Sequence, residues 1–163
     1  MHYRTKTYIA ADWTGDKDAV EQLYKWNNSN YWGLSFHDAH EITQSNDSSK
    51  NCSIKASLRS RLDISKKFVI IVGKGTKSRR AGECNYCFNY NKCGSSSNKS
   101  FIEYECDKAI RDGLEIVVLY NAATVDKTKC PDIIKNVGTH VAMCYRSEGK
   151  LYWDYQAVKN AIG

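Results

Sequence analysis

No stretch of the 163 residues approaches the ~20 consecutive apolar residues that a bilayer-spanning helix needs, which excludes a helical membrane protein. The opening MHYRTKTYIAADW has no apolar segment between a basic start and a small-residue cleavage site. No secretory signal is read there, and a cytoplasmic location is the expectation. A disulfide framework is also missing. The seven cysteines are odd in number and scattered, so reduced thiols are expected. No internal repeat is visible, and the one low-complexity piece, NKCGSSSNKS, reads as a flexible surface loop. What is there, 42% hydrophobic and 26% charged residues, is the composition of a soluble globular protein. The length fits a single domain over residues 1–163 with room for a sizeable core.

The net charge of +6 is unevenly spread. Residues 51–99 hold eleven Lys and Arg against two acids, whereas 1–50 hold five against seven and 101–163 eight against nine. A dinucleotide pyrophosphate, an acidic protein partner or nucleic acid would each explain such a basic third, as would a merely solvated basic face. The basic helix over 53–65 carries no aromatic platform and no recognised nucleic-acid motif, so nucleic acid is not the expected partner.

Apolar patterning orders the chain. Residues 5–11 read as a first strand, followed by DWTGDKDA, a turn with Asp16 or Thr14 as cap. A helix over 17–26 carries Val20, Leu23 and Tyr24 on one face. Residues 32–36 form a second strand, 37–51 a long polar loop, and 53–65 an amphipathic helix with Ile54, Leu58 and Leu62. The runs 68–72 and 116–120 are apolar and rich in β-branched residues, as central strands buried on both faces are. Between them a helix over 101–111 presents Ile102, Cys106, Ala109 and Ile110, with Gly113 as its stop. Residues 141–145, with the turn SEGK, read as an edge strand or hairpin arm, and 154–162 as a closing helix. Strands alternating with helices predict an α/β fold with a parallel sheet covered by helices on both faces.

Such folds hold ligands at the carboxyl edge of the strands. Glu105 falls near the start of the helix that follows the strand over 68–72, on the face it shares with Phe101 and away from the Ile102/Cys106 stripe. A carboxylate there can hold a ribose or stabilise a cationic transition state; equally, it can be a surface residue favoured by the helix dipole. Asp12 and Trp13 end the first strand at the same edge, and Phe36, His37 and Asp38 follow the second. Trp13 either stacks on a base or packs against the helix start. Lys74 and Lys77, with Arg79 and Arg80, suit a pyrophosphate or an acidic protein surface. Cys84 and Cys87 have zinc-type spacing, and Cys93 adds a third thiol. Zinc sites pair two such elements and only one is present, so no metal is expected, with these three as weak candidates.

KFVIIVGKGTKSRR followed by SFIEYECDKAIRDGLEIVVLYNA resembles the Thoeris ThsB TIR-like family, through Phe101, Ile102, Tyr104, Glu105, Lys108 and Gly113. SFHDAHE and IKASLRSRLDISKK are similar to that family's second strand, loop and amphipathic helix. The resemblance covers about residues 5–122. It implies a flavodoxin-like TIR domain in anti-phage defence that takes NAD as substrate, with no bound cofactor. It places the carboxylate required for nicotinamide–ribose cleavage at Glu105, and the nucleotide pocket in the loops holding Asp12, Trp13, Phe36, His37 and Asp38. The implied product is an ADP-ribose-derived signal, cyclic or conjugated, read by an effector protein. Self-association or a phage-derived trigger is implied as well. Two departures stand out. Phe101 replaces the usual tryptophan, and a Cys-rich loop over about 81–99 replaces a short one. That insertion, with Tyr86, Phe88 and Tyr90, keeps a non-catalytic scaffold open as an alternative. A nucleoside deoxyribosyltransferase-like enzyme, which also uses a sheet-edge glutamate, is another. A phosphoaccepting receiver domain is not, because Gly73-Lys74-Gly75 stands where its aspartate would end the third strand.

Overall fold

The computed structural model describes residues 6–11, 15–29, 34, 36–37, 59–76 and 101–162. Among the described residues four strands form one sheet in the order β1-β2-β3-β4: β1 (Lys6–Ala10), β2 (Ser65–Val72), β3 (Glu115–Tyr120) and β4 (Thr139–Ala142). Every pairing is parallel, with Tyr8 opposite Phe68, Phe68 opposite Ile116, and Leu119 opposite Val141. Parallel neighbours need crossovers, and three helical elements are α1 (Lys17–Asn27), α2 (residues 59–63) and α3 (Phe101–Arg111). The Thr7 N–H donates to the His37 carbonyl at 2.6 Å, laying that segment beside β1. This is the place of strand two in the flavodoxin-like order, and this α/β architecture is the one the sequence patterning predicts. Of the strand expected over 32–36, only Leu34 and Phe36 are among the described residues.

Side chains alternate along the strands and divide the core into two layers. Tyr8, Phe68, Ile70, Ile116 and Val118 face Leu62 of α2 and Ile102, Cys106 and Ala109 of α3. Ile9, Val69, Ile71, Val117 and Leu119 face Ala19, Val20, Leu23 and Trp26 of α1 and Val158 of α4 (Tyr155–Ile162). β2 and β3 are therefore apolar on both faces because both faces are covered. Trp26 locks α1 to the carboxyl-terminal segment, edge-on to Trp153 at 6.3 Å and to Tyr155 at 5.5 Å. α3 stops where Gly113 takes a φ of 70°, a conformation that a side chain would strain.

The carboxyl-terminal part departs from the single arm expected over 141–145. β4 ends at Ala142, Met143 is fully buried, and the chain then enters a separate antiparallel hairpin, β5 (Cys144–Ser147) with β6 (Lys150–Trp153). Its turn needs positive φ at two adjacent positions, met by Glu148 (53°) and Gly149 (78°). Asp154 caps α4 through Ala157 N–H at 3.1 Å. α2 ends by Asp63, because Ser65 already belongs to β2.

Candidate functional site

α3 packs through Ile102, Glu105, Cys106 and Ala109, the i, i+3, i+4, i+7 pattern of a helix face turned to the core. Glu105 is 6% exposed and lies within that stripe, not on the separate face that its spacing from Phe101 predicts. Tyr8, at the centre of β1, brings its hydroxyl to the carboxylate, and Arg61 of α2, itself 5% exposed, faces it as a countercharge. Burial raises the Glu105 pKa to about 8, against the lowering effects of the neighbouring Tyr8 hydroxyl and the Arg61 charge. The Tyr8 phenol is pushed well above its ordinary value by burial and by the adjoining Glu105. Three polar groups from β1, α2 and α3 thus meet inside an otherwise apolar layer. Nothing in the sequence reading singled out Tyr8 or Arg61. The available signal was Arg61 at i+3 from Leu58, on the apolar side of its helix, and Tyr8 inside a strand.

A second feature opens at the carboxyl edge. A cleft of about 540 Å³ lies over the ends of β2 and β3, between the start of α1 and the β5–β6 hairpin. Lys74 lines it, together with Asp16, Asp18, Asn121, Lys129 and Arg146. Glu105 does not line it, so the structure separates two residues that the sequence assigned to one edge. Asp16 is the residue before α1, yet its side chain does not cap the helix. It is 4% exposed and turned toward the strand ends, where Oδ1 accepts from Asn121 Nδ2 at 3.0 Å. Its carboxylate occupies the space a side chain at residue 73 would need: a Cβ there would stand 1.9 Å from Asp16 Oδ1. That close approach is what requires Gly73.

Of the other predicted site residues, Phe36 and His37 are among those described. Phe36 packs 6.3 Å from Tyr24 of α1, on the sheet face opposite Glu105. Asn27 fixes its backbone, accepting from Phe36 N–H at 2.7 Å and donating to its carbonyl at 3.1 Å. His37 is exposed beyond it. Asp12, Trp13, Asp38, Lys77, Cys84, Cys87 and Cys93, and the side chain of Phe101, lie outside the described residues. Cys106, Cys130 and Cys144 are free and buried, and among the described residues no three acidic, histidine or cysteine side chains converge as a metal site.

Residues 8–91, just over half of the chain, match the family described as Thoeris protein ThsB, TIR-like domain. The chain belongs to that family. Membership gives this ThsB TIR-like domain an anti-phage defence context, and the four parallel strands agree with it. The match begins at Tyr8, takes in β2 and ends before α3, so Glu105 lies beyond it. No curated protein sequence matches the chain. No helix among the described residues is long and apolar enough to cross a membrane.

Proposed function

We propose that this ThsB TIR-like domain is an NAD-processing enzyme that cleaves the nicotinamide–ribose bond and releases an ADP-ribose-derived signal, with Glu105 as its catalytic carboxylate. The observation that carries the reading is a carboxylate in the buried stripe of α3. An apolar side chain would pack there at no desolvation cost, whereas a buried carboxyl costs several kcal/mol, a cost characteristic of functional sites. Cleavage withdraws the bonding electron pair into the departing neutral nicotinamide and leaves cationic character on the ribose. A carboxylate beside that carbon opposes the developing charge, and the low-dielectric surroundings strengthen its effect. Nicotinamide leaves without needing a proton, so the site needs an ionised Glu105 and no strong general acid. Tyr8 and Arg61 support that ionised form, and the positive charge of bound NAD would add to them.

The test is NAD turnover with mass-resolved products, comparing the wild type with Glu105→Gln in lysate from phage-challenged cells. An ADP-ribose-derived product that disappears in the variant supports the reading. Equal NAD loss in both removes Glu105 from catalysis. No product in either, with normal expression, favours a scaffold, a reading that the exposed stacked pair Tyr145–Tyr152 on the hairpin also supports.

A further inference from the structure

We infer that the cleft at the carboxyl edge is a second small-molecule site, separate from Glu105, that takes a phosphorylated ribose, either free or within a nucleotide. Its volume of about 540 Å³ falls within the range of small-ligand pockets. Its lining decides the class of ligand. Lys74, Lys129 and Arg146 contribute three cations, and Asp16, Asp18 and Asp126 contribute three carboxylates, the first two held together by one amide. Asn121 Nδ2 donates to Asp16 Oδ1 at 3.0 Å and to Asp18 Oδ1 at 3.1 Å. A bare anion would meet the carboxylates, a bare cation would meet the lysines and arginine, and an apolar ligand would desolvate them all. A ribose phosphate satisfies both groups: its hydroxyls donate to the carboxylates, as sheet-edge acids do for ribose, and its phosphate takes charge-assisted bonds from the cations. The walls come from α1, the ends of β2 and β3, and the hairpin, so occupancy would tie the hairpin to the sheet. Glu105 is on α3 and outside this lining, so the site stands whether or not Glu105 proves catalytic.

The experiment is calorimetric titration of the full chain with ribose 5-phosphate, AMP, ADP-ribose and inorganic phosphate. It would compare the wild type, Lys129→Ala/Arg146→Ala, Asp18→Asn and Glu105→Gln. The three cleft residues changed are exposed, so unaltered thermal midpoints are expected and are measured alongside. Saturable binding of a ribose phosphate is expected, about tenfold weaker in the double variant and unchanged in Glu105→Gln. Asp18→Asn should weaken ribose 5-phosphate and leave inorganic phosphate equal or tighter. Preference among the three ribose compounds then identifies the source of the ligand. Absence of saturable binding overturns the inference, as does binding insensitive to the cleft variants. So does loss of binding in Glu105→Gln, which would assign the ligand to the Glu105 site. An Asp18→Asn variant that tightens ribose 5-phosphate and inorganic phosphate equally would reduce the carboxylates to mere repulsion and also overturn it.

Discussion

Replacing Glu105 by glutamine should make the protein's stability less sensitive to pH. The folded protein holds the Glu105 proton until about pH 8, whereas an unfolded chain releases it near 4.5. Between those values the folded state binds the extra proton, so its stability falls as pH rises, by about 1.4 kcal/mol per pH unit. Over the full interval the loss reaches a ceiling of about 5 kcal/mol, fully absent below the lower value and complete above the upper one. Glutamine keeps the shape beside the Tyr8 hydroxyl but cannot ionise. The assay is urea unfolding of both proteins from pH 5 to 9, plotted as the difference in stability against pH. The difference should grow in favour of Glu105→Gln up to about pH 8 and then level off. At pH 8 it should correspond to a thermal midpoint higher by roughly 10–15 °C. A flat difference would mean that Glu105 is solvated, and a difference of opposite sign that Arg61 outweighs burial. Either would refute the account of the site.

Three further outcomes follow from the same contacts. If an ionised Glu105 is required for NAD cleavage, kcat/KM should rise with pH to a plateau above about 8, and Tyr8→Phe, which removes a hydroxyl that lowers this pKa, should shift the profile to higher pH. Gly73→Ala should destabilise by about 1–3 kcal/mol in denaturant titration, because its Cβ meets the Asp16 carboxylate, and Asp16→Ala in the same chain should recover part of that loss. Trp26→Ala should cost about 3–5 kcal/mol and loosen α4 before the sheet, seen as earlier amide exchange over residues 155–162 than in β2.

The central elements were legible because their physics is local. KFVIIV and EIVVLY are continuous apolar runs that only strands covered on both faces can bury, and Gly113 announces the end of α3. The break at Met143 was not legible, since β4 and β5 are four residues each, too short for any period to separate them. The burial of Glu105 was encoded in the 102, 105, 106, 109 spacing, but reading the carboxylate as a surface group hid it. Its neighbours could not be read at all. Tyr8 and Arg61 are 53 residues apart in sequence and meet only because β1 pairs with β2 beneath α2 and α3. Asp16 looked like a helix cap by position, and only the fold reveals that it serves the strand ends instead.

The stretch recognisable by descent and the stretch able to fold are different here. Residues 8–91 contain β1 and β2, yet β2 needs β3 along Lys67–Val72, and its Phe68 and Ile70 face needs α3. Cut at residue 91, the chain would present a long, flat, apolar strand with an open edge, the kind of surface that recruits other chains into aggregates. The carboxyl-terminal half, which the family match does not reach, is therefore what covers the open edge and one face of β2. The last turn shows how far this reaches, because Lys67 on β2 donates to the Ile162 carbonyl at the end of α4. A truncation intended to isolate the matched part would discard the strand and helix that cover it.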